Sequence, residues 1–106
     1  HKEYRRQRQM CIRDRITLAA ADHPLVAYWA VTLLGREGAG ASAAVPALGA
    51  CLAPGKAIEV RQRACWALGK IGAAAVSVRE ALTAAAADPD PRLSRLAGEV
   101  LANCCH

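Results

Sequence analysis

The sequence contains no phenylalanine and few aromatic side chains of any kind, with tryptophan and tyrosine occurring twice each among 106 residues. It also lacks an apolar run of the roughly 18–20 residues that a transmembrane helix needs. The apolar content is nevertheless 54%, and 25 residues are alanine. Because alanine has the highest helix propensity and little surface to bury, this composition favours an all-α protein of closely packed helices over a β-sandwich.

The charge is unevenly distributed along the chain. The net charge is +5, and charged residues make up 22% of the sequence, which together with the apolar content is typical of a globular domain rather than a disordered one. Residues 1–15 carry a net charge of +4, and residues 16–106 carry only +1. The basic character is therefore a property of the N-terminal block and not of the whole chain.

That block, residues 1–15, has an unusual possible origin. Its codons can be chosen so that, from the last base of the Tyr4 codon onward, they reproduce a transposase-type sequencing-library adapter. We therefore expect residues 1–15 to be a translated adapter, and residues 16–106 to be a fragment of a longer bacterial reading frame from metagenomic sequencing. The alternative interpretation is a genuine arginine-rich arm.

The remainder of the chain repeats itself. Two stretches align at an offset of 37 residues, and the second aligns with a third at an offset of 33. The matched pairs are Ala27/Ala64, Trp29/Trp66, Ala30/Ala67, Val31/Leu68, Leu34/Ile71 and Gly35/Gly72, then Val60/Leu93, Ala64/Ala97, Leu68/Leu101 and Ile71/Cys104. Gly35 and Gly72 are expected to end the first two of these helices. The offset then drifts inside the loops, as a helical repeat tolerates.

Each repeat has the pattern of a helix pair. In the best-formed unit, an apolar stripe with helical spacing precedes Gly72, and a second stripe follows it. The two stripes are Val60, Ala64, Ala67, Leu68 and Ile71, and then Val78, Ala81, Leu82 and Ala85. Asp90 is placed to cap the next helix, with Pro91 at its first position. The predicted units cover residues 22–53, 58–87 and 91–106.

The run Val60–Gly72, followed by a second helix and Asp88-Pro89-Asp90, resembles the HEAT repeat. More narrowly, it is similar to the short HEAT-like repeats named after phycobilisome lyases. The resemblance covers residues 16–106 and implies a right-handed α-solenoid of antiparallel helix pairs, about two and a half repeats long. It also implies that first helices lie on the convex face and second helices on the concave face.

No pattern of residues points to a catalytic, metal or cofactor site. The five cysteines lack a Cys-x-x-Cys spacing, and no nucleophile or phosphate-loop motif occurs. Cys104 and Cys105 with His106 form the one cluster, but adjacent helical residues point about 100° apart and make poor joint ligands. Free thiols in an alanine-rich chain favour a reducing cytoplasm.

Five residues are predicted to contact a partner. Arg79, Glu80 and Thr83 occupy outward positions of a second helix. Trp29 and Trp66 share one register in the alignment, which admits two interpretations. They either form a ladder that packs against adjacent first helices, or they are exposed anchors for a partner, since tryptophan is enriched at binding hot spots.

These observations predict a non-catalytic scaffold that binds another protein, with no membrane segment and no small-molecule substrate. One alternative, which rests on the resemblance alone, is part of a bilin-lyase-type enzyme. The other is a nucleic-acid-binding protein with Arg61, Arg63, Lys70 and Arg79 as its basic surface. Nearby acidic residues, among them Glu59 and Glu80, dilute that surface and make nucleic acid the weaker alternative.

Overall fold

A computed structural model describes residues 12–104, and all of its regular secondary structure is helical. The predicted all-α fold is confirmed. Helix α1 covers 12–19 within the described residues. The helices that follow are α2 (Pro24–Glu37), α3 (Val45–Ala50), α4 (Ile58–Ile71), α5 (Arg79–Ala86) and α6 (Pro91–Cys104), with 3-10 segments at Gly38–Ala44 and Ala73–Val78.

The first helices of the repeats begin and end at recognisable signals. Val26 donates its backbone N–H to Nδ1 of His23 at the start of α2, and Leu93 donates to the carboxylate of Asp90, 2.8 Å away, at the start of α6. Gly72 ends α4 with φ of 92°, as expected. Gly35, however, does not end α2. That helix continues to Glu37 and stops at Gly38, whose φ of 64° is a conformation that favours glycine.

The repeat offset of 37 residues is therefore wrong, and the correct value is 34. The two stop glycines, Gly38 and Gly72, are 34 residues apart, and both α2 and α4 contain 14 residues. Leu48 and Leu82 have the same separation and are both fully buried. In this register Leu68 is equivalent to Leu34, not Val31. The segment from the stop glycine to the next buried leucine, Gly38 to Leu48 and Gly72 to Leu82, has the same length in both repeats.

The helices pack in two layers. α2, α4 and α6 lie side by side in one layer, and α3 packs against the second 3-10 segment and α5 in the other. Cys51, directly after α3, donates its thiol to the carbonyl of Ala19 and so ties α1 to this second layer. Alanines and five fully buried leucines fill the space between layers, the leucines being Leu34, Leu48, Leu68, Leu82 and Leu93. The predicted arrangement of successive helix pairs is confirmed.

The predicted adapter boundary at residue 15 falls inside α1. Residues 1–11 lie outside the described residues, whereas Ile12 packs against the core and Arg15 forms a 3.4 Å ion pair with Glu37. Helix α1 therefore covers residues on both sides of the predicted boundary, from 12 to 19 within the described residues. The adapter origin of residues 1–15 stays a prediction.

Arg61 links the end of the first repeat, the second repeat and the loop that leads into the third. Its side chain is buried, which corrects its assignment to a basic surface. Its Nε donates to the Leu52 carbonyl at 3.1 Å, and its Nη2 donates to the Asp88 carboxylate at 2.9 Å. Gln62 donates in the same way to Asp90. The end of α3, the helix α4 and the loop before α6 are thereby held in a fixed arrangement.

None of the helices described between residues 12 and 104 has the combination of length and hydropathy that a membrane-spanning segment needs.

Leu68→Ala should destabilise the protein severely. Leu68 is fully buried between the two layers, and removing a buried leucine side chain costs about 2–5 kcal/mol. Urea unfolding followed by circular dichroism measures the loss. Arg79→Ala, at an exposed position, is the control and should change the free energy of unfolding by less than about 0.5 kcal/mol. Equal effects of the two substitutions would contradict the helix-pair packing.

Acid should destabilise the loop before α6. The Asp90 backbone N–H and the Arg61 guanidinium lower the pKa of Asp88, and the Leu93 backbone N–H and the Gln62 amide lower the pKa of Asp90. A carboxylate with a lowered folded-state pKa contributes stability above its unfolded-state pKa of about 4, and this contribution is lost as the pH falls through the folded-state value.

The urea midpoint should therefore fall between about pH 6 and pH 3. Asp88→Asn should lower stability at the higher pH and flatten this dependence. Asp22→Asn is the matched control, because Asp22 makes no hydrogen bond or ion pair with any residue of 12–104. An acid dependence that Asp88→Asn leaves unchanged would show that other groups control it.

Candidate functional site

A row of aromatic rings and cations crosses the outer side of the first-helix layer. The Arg63 guanidinium lies over the rings of Tyr28 and Trp66, with its Cζ 4.9 Å and 4.7 Å from their centroids. The Lys70 ammonium lies 5.8 Å from the Trp66 ring centroid. Trp29 meets Tyr28 edge to face, with the centroids 6.4 Å apart. We call these five residues the aromatic–cation row.

The row forms because α2 and α4 run in the same direction side by side. Arg63, Trp66 and Lys70 follow one another at spacings of three and four along α4, which places them on one face. Tyr28 lies on the neighbouring face of α2, where its hydroxyl accepts a hydrogen bond from Arg63. The row therefore depends on how closely α2 and α4 approach.

Gly35 sets that approach. It is buried inside α2, and a Cβ built on it would lie 2.9 Å from Cε3 of Trp66 and 3.1 Å from Cα of Ala67. No other residue type fits there without displacing the tryptophan ring. The edge of Trp66 thus packs directly on the backbone of α2, and the ring is held in place to receive Arg63 on its face.

The two tryptophans have different environments. Trp66 is half-buried and packs on the preceding first helix, as the ladder interpretation predicts. Trp29 is 55% exposed, and the neighbouring Leu25 is 61% exposed. At the correct offset of 34 residues, Trp29 is equivalent to Arg63 rather than to Trp66. The rings of Trp29 and Trp66 are linked through Tyr28 and Arg63. The expectation that the two tryptophans occupy equivalent positions of the repeat is wrong.

A shallow groove runs beside the row. Its volume is about 190 Å³, and it spans α2, α4 and α6. Its lining consists of Tyr28, Glu59, Gln62, Arg63, Trp66, Arg92 and Leu96. Arg92, Arg63 and one apolar side chain thus face the same space as two aromatic rings, which is the combination typical of protein-binding hot spots.

The other three predicted partner-binding residues lie on α5, in the second layer. Arg79, Glu80 and Thr83 are all exposed. The Thr83 hydroxyl donates to the Arg79 carbonyl within the helix at 2.9 Å, which leaves its methyl group and the acceptor side of its oxygen for a partner. Arg79 and Glu80 form no ion pair with any other residue between 12 and 104. The five predicted residues therefore divide between two layers.

The cysteines that the structure describes belong to the packing. Cys51 and Cys65 are buried free thiols. Burial raises the pKa of both, and that of Cys65 to about 12, so both are neutral at physiological pH. Cys105 and His106 lie outside the described residues. Within 12–104, no three metal-ligating side chains cluster.

Sequence reasoning missed the aromatic–cation row because its members come from two repeats. Arg63 was grouped with other basic residues, and Tyr28 was not singled out. A signal was available in principle, since Tyr28 and Arg63 are separated by 35 residues, close to one repeat length. Only the correct offset shows that the two side chains meet.

Comparison with known proteins identifies one family. A family model for HEAT repeats matches residues 12–102. No curated protein and no solved structure matches the chain. The matched range covers α1 to nearly the end of α6 and includes both layers described above.

Gly35→Ala should destabilise the contact between α2 and α4. The added methyl group cannot fit against the Trp66 ring, and overpacking of this kind costs about 1–3 kcal/mol. Gly98→Ala is the matched control, because Gly98 also lies inside a helix but a Cβ there meets nothing within 4 Å. That substitution should stabilise the protein by about 0.5–1 kcal/mol. Urea unfolding gives both values, and two changes of the same sign would contradict the close approach at Gly35.

Proposed function

The chain belongs to the HEAT-repeat family, and we propose that it is a scaffold that binds a protein partner through α5. HEAT repeats usually mediate protein interactions. The observation that carries the proposal for this chain is the outward presentation of Arg79, Glu80 and Thr83 on α5, where neither charge is neutralised by a neighbour in the described part of the chain.

The chemistry of α5 supports a protein partner. Arg79 and Glu80 give adjacent charges of opposite sign, and the Thr83 methyl group adds a small apolar contact. In the preceding repeat, Ala50 is exposed and Ala47 is half-exposed on α3. A wall of small side chains beside mixed charges suits a helix or an extended segment, because charges set the orientation of a bound chain more than its affinity.

The area available sets the expected affinity. A stable interface buries about 1,200–2,000 Å² in total, which is more than two short second helices offer. We therefore propose that the affinity of this chain for its partner is modest, and that it increases with the number of repeats presented. The free buried thiols Cys51 and Cys65 support a reducing compartment such as the cytoplasm.

Panning of a phage-displayed random peptide library against the chain tests the proposal. Enriched peptides are synthesised, labelled and titrated by fluorescence polarisation against the wild-type chain and Arg79→Glu. We expect the substitution to weaken the affinity for the leading peptides about tenfold. A peptide carboxylate that Arg79 attracts would instead be repelled by the new glutamate beside Glu80.

Arg95→Glu is the matched control, since Arg95 is an exposed arginine on α6 in the other layer. It should leave the dissociation constants within about twofold. Failure to enrich any peptide, or equal weakening by the two substitutions, would contradict binding through α5. Circular dichroism of each variant verifies that the fold is retained.

A further inference from the structure

We propose that the outer side of the first-helix layer is a second binding surface, that it takes an acidic protein segment, and that Arg63 is its central carboxylate-binding residue. This surface lies on the opposite layer from α5, so the inference goes beyond the scaffold function proposed above. It rests on the geometry of Arg63, on the balance of charge around it and on the groove at its side.

Arg63 is held in place before any ligand arrives. Its guanidinium is stacked on Tyr28 and Trp66 at 4.9 Å and 4.7 Å, and it donates one hydrogen bond to the Tyr28 hydroxyl. An arginine carries five N–H donors, so most of them remain available. Because the stacking has already restricted the side chain, binding a carboxylate costs less conformational entropy than at a free arginine.

The positive charge of Arg63 is not neutralised within the described chain. No carboxylate of residues 12–104 lies within 4.0 Å of its guanidinium, although Glu59 is one helical turn away on α4. The same holds for Arg36, Lys70 and Arg92, which also belong to the first helices. Cations thus exceed carboxylates on this layer, and an acidic ligand supplies the charge that is missing.

The groove adds an apolar contact beside the charges. Leu96 and the ring edges line it together with Arg92, and its volume of about 190 Å³ has room for one or two side chains. Farther along α2, Trp29 and Leu25 expose more apolar surface. A segment that alternates carboxylates with leucine or an aromatic residue therefore matches both parts of the surface.

The state of the rings favours protein over nucleic acid as the ligand. Single-stranded nucleic acid binds by stacking bases on free aromatic faces. Here the Trp66 ring carries Arg63 and Lys70, and the Tyr28 ring carries Arg63, so within the row only the exposed Trp29 ring has no cation over it. Glu59 in the groove would also repel a phosphate backbone. The Tyr28 and Trp66 rings therefore hold the cations in place, and the cations contact the ligand.

Fluorescence polarisation with three labelled probes tests the inference. The probes are an acidic peptide rich in Glu and Leu, the same peptide with Gln in place of Glu, and an oligothymidylate. We expect the acidic peptide to bind best and to weaken as salt is added. Arg63→Gln should weaken its binding about tenfold, and Arg63→Lys should fall in between, because lysine keeps the charge but loses the planar fork of donors.

Arg13→Gln is the control for the loss of one positive charge, because Arg13 is an exposed arginine on α1 and belongs to neither binding surface. It should change the affinity less than about twofold. Circular dichroism establishes that each variant is folded. Tighter binding of the oligothymidylate, equal binding of the Gln peptide, no binding of the acidic peptide, or equal effects of Arg63→Gln and Arg13→Gln would each overturn the inference. Because Arg79→Glu tests the α5 surface and Arg63→Gln tests this one, failure of one surface is distinguishable from failure of the other.

Discussion

The packing of the Trp66 ring against the backbone of Gly35 is the contact on which the rest of the structure depends. It brings α2 and α4 close enough for the alanines between them to be buried, and an alanine-rich core is stable only if its backbones approach closely. It also fixes the plane of the ring that receives Arg63. One glycine therefore links the stability of the solenoid to the chemistry of its outer surface.

Two arginines on α4 have different roles. Arg61 and Arg63 are two residues apart, so their side chains project about 200° apart around the helix. Arg61 is directed into the junction of the repeats, where Leu52 and Asp88 satisfy its donors. Arg63 is directed outward, where aromatic rings hold it without neutralising its charge. The first holds neighbouring repeats together, and the second is available to a ligand.

Much of the fold could be predicted from the sequence, because helical repeats are local patterns. The helix pairs, the Asp90 cap and the burial of Leu68 needed only spacing and turn chemistry. The offset could not be predicted as safely. A shift of three residues is nearly one helical turn, so the apolar stripe stays on the same face, and only the positive φ of Gly38 distinguishes the true helix end.

The candidate site was harder to predict than the fold for a related reason. Whether Arg61 or Arg63 is buried depends on residues of the next repeat and the preceding one, and a wrong offset places the wrong neighbours beside them. The exposed positions of α5 needed no such information, since they follow from the apolar stripe of that helix alone. Local structure could thus be predicted from the sequence, whereas the contacts between residues of neighbouring repeats could not.

A double-mutant cycle between Gly35 and Trp66 tests the central contact most directly. The free energy of unfolding is measured for the wild-type chain, Gly35→Ala, Trp66→Leu and the double variant. If the ring lies against the α2 backbone, the destabilisation by the added methyl group should largely disappear when Trp66→Leu replaces the ring by a smaller side chain. The coupling energy should then be at least about 1 kcal/mol. Additivity within about 0.5 kcal/mol would show that the two residues do not touch and would contradict the account.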